Sequence, residues 1–351
     1  MSPNARKNLI YSFVLLGMVL IVYLYRSSTS GGSSEDEVAR KNGLITWNGE
    51  FMDQPYLFLY HPERANVKAK LDSLLNHQAQ LYLMDSPRSE LYQLNRQDSL
   101  PKPSKDLLAL LRMVSQDSKN AENSWDPTSG ILYEGWSFSS TRAGIKDSVN
   151  IAALLDNVGM PKFILNDTLI RKEKTGLKIN LLDYGQTLTL AQVALFLEKQ
   201  GIRNYFLQIG KHTLAKGVNE RQELWKFKTQ RPDSLGKSMD GWIALQNRAV
   251  ATAGDFTQSY RQDSLQKAWV LDPRTGYPVN HGLLQTTVLA KTSKEAAILA
   301  QSLLVRGWQD ALRIDSARKD IEMILIYNEK GKGLTLYASP ELKAMLSFPM
   351  K

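Results

Sequence analysis

Short strand-like and helix-like segments alternate along the chain from Gly43 to its end, and this alternation constrains the fold more than any other feature. QPYLFLYHP (54–62) and LLQTTVLAK (283–291) carry the apolar, aromatic and β-branched residues typical of strands. LTLAQVALFLEKQG (188–201) and SKEAAILAQSLLVRG (293–307) carry apolar residues at helical spacing. The pattern predicts an α+β fold of mixed, largely antiparallel sheets with packed helices, rather than a doubly wound parallel sheet.

Two further segments have patterns that end in turn-forming residues. FILNDTLIRKEKTGLKINLL (163–182) predicts a β-hairpin with a polar turn. AWVLDP (268–273) predicts a strand that runs into a bend, because Gly276 and Pro278 follow it closely. Such a bend is either an ordinary turn or a place where backbone N–H groups and a carboxylate meet a ligand.

Composition excludes several classes of site. The 351 residues include no cysteine, so disulfides, thiolate nucleophiles and cysteine-bound metals are impossible. A hydrophobic content of 43% is enough for a full core. The net charge of +9 is spread along the chain, which argues against a nucleic-acid-binding stripe and favours a generally basic surface that faces anionic lipid.

The N-terminus carries the pattern of a membrane anchor. Arg6 and Lys7 precede an uncharged apolar run, residues 9–25, which is just long enough to span a bilayer. The basic pair places the N-terminus in the cytoplasm. No A-x-A-like cleavage site follows, which favours an uncleaved signal anchor over a removed signal peptide. We therefore expect a cytoplasmic tip and transmembrane helix over 1–26, a flexible tether over 27–42, and a folded domain over 43–351 on the periplasmic or outer side of the inner membrane.

Three stretches combine turn-forming residues with polar side chains: DPTSG (126–130), ATAGDF (251–256) and LDPRTGYP (271–278). Small residues let backbone N–H groups approach an anionic oxygen, an arginine suits phosphate, and Trp125 and Trp136 could wall a planar ligand. Each stretch could equally be an ordinary turn. The candidate ligand-binding residues in them are Asp126, Pro127, Thr128, Thr252, Gly254, Asp255, Asp272, Arg274, Thr275 and Gly276.

In this order, and preceded by SPRSELYQLNR (86–96), the stretches resemble the flavin transferase family, the FAD:protein FMN transferases. Its members move FMN from FAD onto a Thr or Ser of an acceptor protein at the outer face of the cytoplasmic membrane. The resemblance implies a flavin-transferase-like fold and FAD or FMN as ligand. It also implies magnesium as a metal ion, and it adds Gly210 and Lys211 to the candidate nucleotide site.

Several positions differ from those that carry the family's chemistry. Trp269 stands at the position of a histidine, and an indole cannot accept a proton. Ala297 and Gln301 stand at the positions of a metal-binding Asp and Thr that lie four residues apart on a helix. Gln186 replaces a lysine, and Lys211-His212 follows Gly210 where the family has a glycine and an aspartate. By resemblance, the chain therefore has neither a catalytic nor a metal-binding residue at these positions.

Three hypotheses follow from the resemblance. The first is a membrane-anchored family member with lost or much weakened transferase activity, a pseudoenzyme that binds a flavin nucleotide or a partner such as an envelope redox protein. The alternative is an active, magnesium-dependent transferase that flavinylates a Thr or Ser of an envelope redox protein, with Asp183, Asp255 or Asp272 as oxygen donors. The third is a structural envelope protein whose pocket is filled by its own side chains. Metal dependence separates the first two hypotheses, and flavin retention separates both from the third.

Overall fold

The computed structural model describes residues 39–41, 43–64, 66–138, 143–146, 149–232, 237–262, 265–329, 333–343 and 345–347. The predicted membrane segment, residues 9–25, and the tether up to residue 38 lie outside these ranges. Within the described ranges, no helix is both long enough and apolar enough to cross a bilayer.

Nine helices and nineteen strands are present in the described ranges. The helices are α1 Val67–Tyr82, α2 Glu90–Arg96, α3 Lys105–Asn120, α4 Gly130–Gly135, α5 Ile151–Leu155, α6 Leu182–Lys199, α7 Ser293–Arg306, α8 Trp308–Ala317 and α9 Pro340–Lys343, with a single 3-10 turn at Met160–Lys162. The strands are β1 Ala39–Lys41, β2 Leu44–Phe51, β3 Gln54–His61, β4 Ser99–Pro101, β5 Trp136–Phe138, β6 Ala143–Ile145, β7 Phe163–Leu165, β8 Leu169–Lys172, β9 Asn204–Ile209, β10 His212–Lys216, β11 Trp225–Pro232, β12 Ser238–Leu245, β13 Arg248–Gly254, β14 Tyr260–Gln262, β15 Leu265–Lys267, β16 Leu283–Ala290, β17 Glu322–Glu329, β18 Gly333–Ala338 and β19 Leu346–Ser347.

A nine-stranded sheet organises the domain, in the order β1-β2-β3-β9-β10-β13-β16-β17-β18. Every neighbouring pair in it is antiparallel. Smaller sheets are formed by β11-β12-β19, β4-β8-β7, β14-β15 and β5-β6. The predicted α+β class with largely antiparallel sheets is confirmed, because helices accompany the sheets and every strand pair in the five sheets is antiparallel.

Side chains that alternate along the central strands form separate cores on the two faces of the sheet. Ala249, Ala251 and Ala253 of β13 pack with α7, whose own contact residues include Ala296 and Ala300. Val250 points the other way, into a core shared with β11 and β12. All eight residues of β16 are buried, because this strand is covered on both faces. The small alanine side chains let α7 lie close to the strand ends that border the candidate site.

The predicted β-hairpin forms, as β7 and β8, but it is shorter than predicted, and a second segment prediction was wrong. The hairpin predicted over 163–182 ends with β8 at Lys172, and α6 already begins at Leu182, whose N–H donates to the Asn180 side chain. Gly185 lets α6 pack closely against α1, because a Cβ atom at this position would lie 2.4 Å from the ring of Tyr82. The strand predicted over 268–273 does not form, and only Leu271 makes an isolated bridge, to Pro278.

The predicted domain boundary also needs correction. Residues 39–41, which were assigned to the flexible tether, form β1 and pair with residues 44–46 of β2. Their pairing extends the central sheet by one strand, so the folded unit begins no later than Ala39. Residues 39–351 form one compact unit.

Candidate functional site

A cavity of about 460 Å³ lies where α6 begins and α7 runs past the end of β13. Five parts of the chain form its walls: residues 124–133, the start of α6, the β9–β10 turn with the end of β13, the segment 270–273, and the C-terminal part of α7. Its residues are Ser124, Trp125, Asp126, Pro127, Ser129, Gly130, Tyr133, Asn180, Asp183, Tyr184, Lys211, Thr252, Ala253, Gly254, Val270, Leu271, Pro273, Gln301, Leu304 and Val305. Its volume falls within the usual range for small-molecule sites.

Asp126 stabilises the wall of the cavity that residues 124–133 form, through hydrogen bonds to neighbouring residues. Its Oδ1 accepts hydrogen bonds from the backbone N–H of Thr128 at 2.8 Å and from the Thr128 hydroxyl. The Thr128 hydroxyl oxygen in turn accepts the N–H of Gly159 at 2.6 Å. Both side chains are buried, so the Asp-Pro-Thr turn shapes the wall, and its carboxylate is already occupied by hydrogen bonds within the protein.

An aromatic pair closes the same wall. Trp125 lines the cavity and stacks on Tyr184, with ring centroids 5.2 Å apart. Burial raises the pKa of Tyr184, and its hydroxyl donates to Asp117 at 2.6 Å. Trp136, the second predicted wall residue, lies elsewhere and donates its indole N–H to the carbonyl of Gly276 at 2.9 Å. One of the two predicted tryptophans is therefore available to a planar ligand.

The segment LDPRTGYP forms a closed turn beside the cavity. The Arg274 guanidinium forms a two-pronged ion pair with Asp272 at 2.8–3.2 Å, so this arginine is bound within its own turn. The Thr275 hydroxyl accepts the N–H of Tyr277, and Gly276 adopts a left-handed conformation with φ of +76°. Only Leu271 and Pro273 of the motif contribute to the cavity wall.

Asp183, His212 and Gln301 form a hydrogen-bonded cluster on the cavity floor. Asp183 Oδ1 pairs with His212 Nε2 at 2.8 Å, and its Oδ2 accepts the side-chain amide of Gln301. His212 is 2% exposed, and its Nδ1 is buried without a hydrogen-bond partner. Burial raises the pKa of Asp183, but the charge and hydrogen bond of His212, the Gln301 hydrogen bond and the charge of Lys211 outweigh it and lower that pKa below its usual value. Asp183 is therefore a carboxylate that faces the cavity.

Lys211 is the one cationic side chain among the cavity residues given above. It is exposed, and its ammonium donates to the carbonyl of Gly254 at 3.1 Å. Gly254 has φ of +78°, and a Cβ atom there would lie 2.3 Å from the carbonyl oxygen of Leu284. Glycine at this position therefore keeps the carbonyl, and with it Lys211, at the cavity edge.

The structure brings five of the twelve sequence-predicted binding residues together in the cavity: Asp126, Pro127, Lys211, Thr252 and Gly254. Gly210 and Asp255 line an adjoining groove. The other five, Thr128, Asp272, Arg274, Thr275 and Gly276, lie outside both sets of lining residues and support the walls. Tyr133 and Asn180 were missed by the sequence reasoning, and no motif distinguished them from ordinary polar residues.

Four of the replaced positions, Trp269, Ala297, Gln186 and Gln301, lie in different surroundings. Trp269 is 40% exposed outside the cavity, with its ring 5.4 Å from that of Phe138. Ala297 is buried in the core between α7 and the sheet, and Gln186 is buried within α6. Gln301 alone reaches the cavity.

These residues do not fit a magnesium site at the predicted positions. Magnesium prefers oxygen ligands in octahedral geometry. Ala297 offers a methyl group, and Gln301 directs its amide nitrogen toward Asp183. Among the described residues, no group of three or more His, Asp or Glu side chains is arranged to hold a metal ion.

A dinucleotide has room beyond the first cavity. A second cavity of about 460 Å³ shares Pro127, Gly130 and Asn180 with the first. Its walls also include Tyr92 and Arg96 of α2, with the arginine 4.7 Å above the tyrosine ring. The shared residues make the two cavities neighbours in one larger depression.

Comparison with known proteins gives a consistent result. The model of the ApbE family matches residues 49–325. An FAD:protein FMN transferase of Vibrio cholerae is 24% identical over 307 residues, covering 86% of this chain and 90% of that protein. One of Haemophilus influenzae is 27% identical over 267 residues, covering 73% and 76%.

Solved structures agree with the sequence comparisons. The flavin transferase ApbE from Vibrio cholerae superposes with a TM-score of 0.72 at 26% identity, over 86% of this chain and 99% of that one. The apo flavinyl transferase ApbE of Pseudomonas stutzeri shares the fold, with a TM-score of 0.72 at 20% identity over 86% and 96%. By fold and by the extent of the family match, this chain belongs to the ApbE family of flavin transferases.

Proposed function

We propose that this protein is a membrane-anchored flavin transferase homologue that binds a flavin nucleotide without a metal ion and has lost most or all transferase activity. It would act as a nucleotide-binding or partner-binding module in the bacterial envelope. The observation that carries the proposal is the Asp183–His212–Gln301 cluster, in which His212 and Gln301, at the positions where the family resemblance implies an acidic residue and a metal ligand, both hydrogen-bond to the Asp183 carboxylate.

Lys211 supplies the cation that such a site needs. A flavin nucleotide carries phosphate, and a lysine at the cavity edge can pair with it by a charge-assisted hydrogen bond. Both oxygens of the Asp183 carboxylate accept hydrogen bonds, from His212 and from Gln301, so its negative charge repels phosphate less than that of a free carboxylate would. Arg274, the other predicted phosphate-binding residue, is held by Asp272 and takes no part.

Flavin retention tests the binding half of the proposal. The protein is incubated with FAD in the presence of EDTA or of magnesium, desalted, and its visible absorbance measured. We expect equal retention under both conditions and a 10- to 100-fold weaker affinity in Lys211→Met, the loss expected for one charge-assisted hydrogen bond. Lys199→Met is the matched control, because Lys199 lies at the far end of α6 and lines neither cavity. Absence of a flavin band would contradict nucleotide binding and favour a purely structural role.

A labelling assay tests the catalytic half. An acceptor peptide that a known family member flavinylates is incubated with this protein, FAD and magnesium, and covalent flavin is read by in-gel fluorescence. We expect no labelling, or labelling weakened by at least about 10²-fold, because Trp269 cannot serve as a base. Labelling at the rate of the known family member would overturn the proposal.

The alternative, an active magnesium-dependent transferase, is favoured by one observation. Asp183 is a carboxylate on the cavity surface, whereas Asp255 is bound by the backbone and hydroxyl of Thr257, and Asp272 by Arg274. Of the three donors considered, Asp183 is therefore the one that lines the first cavity, and a metal ion there would have to displace the hydrogen bond from His212 or from Gln301. Magnesium-dependent labelling that disappears in Asp183→Asn would support this alternative over the first proposal.

Anchoring in the inner membrane is part of the proposal and rests on the sequence of residues 6–25. In intact cells, added protease should reach the domain only after the outer barrier has been permeabilised. Protection of the domain after that step would place it in the cytoplasm and contradict the orientation.

A further inference from the structure

Strand β11 has a free edge. It pairs with β12 over residues 225–232, and it is the outermost strand of its three-stranded sheet. Throughout the described part of the chain, no backbone hydrogen bond joins residues 226–230 to any segment other than β12. Every second residue of an edge strand directs its N–H and C=O groups away from its partner, so this edge can accept another strand.

A groove of about 300 Å³ runs along this edge. Four consecutive residues of β11, 227–230, line it, which places the groove along the strand's edge rather than over one face. The opposite wall comes from the ends of the central strands and includes Gln208 and Gln285. Amide and hydroxyl groups therefore predominate, and these are the groups that suit the backbone of a polypeptide.

The groove leads to the candidate nucleotide cavity. Lys211, Thr252 and Gly254 line both. A second polypeptide lying along β11 would reach these three residues, where the groove meets the first cavity. A side chain at the end of that polypeptide would face the first cavity.

We propose that an extended segment of a partner protein adds to the free edge of β11 and reaches the nucleotide cavity at Lys211. This inference rests on the proposed function, because it names how the partner of that site is held. Strand addition provides affinity through main-chain hydrogen bonds and leaves side chains to set specificity. A phosphate-bearing ligand suits the groove less well, because its second lysine, Lys228, is paired with Asp240 at 2.7 Å.

The test uses a fluorescein-labelled hexapeptide of alternating Thr and Glu, with anisotropy as the readout. Thr favours extended backbone, and Glu gives solubility. We expect saturable binding that falls at least about tenfold when every peptide nitrogen is methylated, because the donors to the strand edge are lost. Equal binding of the methylated peptide, or no binding of the unmodified one, would overturn the proposal.

A second measurement locates the peptide. Since the chain has no cysteine, Gln230→Cys can be modified at a single site with a bulky maleimide. This block should abolish peptide binding, whereas the same block at Gln116→Cys, an exposed glutamine on α3 outside the groove, should not. An unchanged affinity after the block at position 230 would reject the groove, and thermal unfolding of both labelled variants checks that the fold is intact.

Flavin retention measured on the same samples separates the two proposals. Flavin retention by the unblocked protein without peptide binding would reject the groove alone. Peptide binding without flavin retention would reject nucleotide binding alone.

Discussion

At the scale of single residues, Asp183 links the site to pH. Its pKa lies below the usual value because His212, Gln301 and Lys211 favour the ionised form more than burial disfavours it. A carboxyl whose pKa is lower in the folded state contributes stability that is fully present above its unfolded pKa, about 3.9, and is lost as pH falls through the folded value.

We therefore expect wild type to lose more free energy of unfolding than Asp183→Asn between pH 5 and pH 3. Urea denaturation at each pH measures this difference. Asp167→Asn is the control, because Asp167 lies on the surface in an exposed ion pair. Parallel curves for wild type and Asp183→Asn would show that the cluster contributes nothing in the charged form.

Ala297 and Gln301 allow the two oxygen ligands that the family resemblance implies to be introduced. Ala297→Asp alone should lower the thermal midpoint, because position 297 is 3% exposed and an unpaired carboxylate there is desolvated. Position 297 lies four residues before position 301 on α7, so Ala297→Asp with Gln301→Thr places two oxygens on one side of the helix. With FAD, the double variant should gain a magnesium-dependent stabilisation of about 2.7 kcal/mol at a hundredfold excess of metal over its Kd.

Ala297→Asn with Gln301→Thr is the matched control and should not respond to magnesium in the same assay. A rise of that size in wild type would mean that magnesium binds through other residues, with Asp183 the first to test.

At the scale of elements, the turn after Leu271 depends on Gly276. This residue has φ of +76°, and an added Cβ atom would lie 2.9 Å from Ile151 on α5. Gly201, after α6, has nearly the same φ of +77° with no heavy atom within 4 Å of an added Cβ. Alanine substitutions at the two positions therefore separate the cost of the left-handed backbone, which both share, from the cost of the steric contact, which only position 276 has.

Gly201→Ala should cost about 1–2 kcal/mol for the left-handed backbone. Gly276→Ala should cost about 1–3 kcal/mol more, because the methyl group overpacks the contact with Ile151. Chemical denaturation of both variants measures the difference. Equal losses of free energy of unfolding in the two variants would show that α5 moves aside and that Ile151 does not limit the space at position 276.

At the scale of the whole molecule, the folded unit should be separable from the N-terminal segment. A chain beginning at residue 39 should be monodisperse and folded, because residues 39–351 form one compact unit. A chain beginning at residue 43 lacks β1, loses its pairing with β2 and exposes that edge. We expect it to fold with about 1 kcal/mol less stability, measured by chemical denaturation. Aggregation of the longer chain would mean that the preceding residues belong to the fold.

The sequence by itself determined the fold class, most helices and the family. Apolar periodicity is a local property, so most of α6, the whole of α7 and the antiparallel character of the sheet could be predicted from it. The motifs around residues 126, 252 and 272 identified the region of the site for the same reason, because turn chemistry is carried by neighbours in the chain.

Only the tertiary structure decided what each motif residue does. Arg274 and Asp126 have the chemistry of ligand contacts, but partners within the protein already occupy them. Asp183 meets Gln301, 118 positions away, and β11 acquires a groove from strands far along the chain. Contacts between residues far apart in the chain depend on how the layers pack. A local sequence pattern therefore does not show which polar groups are hydrogen-bonded within the protein and which can bind a ligand.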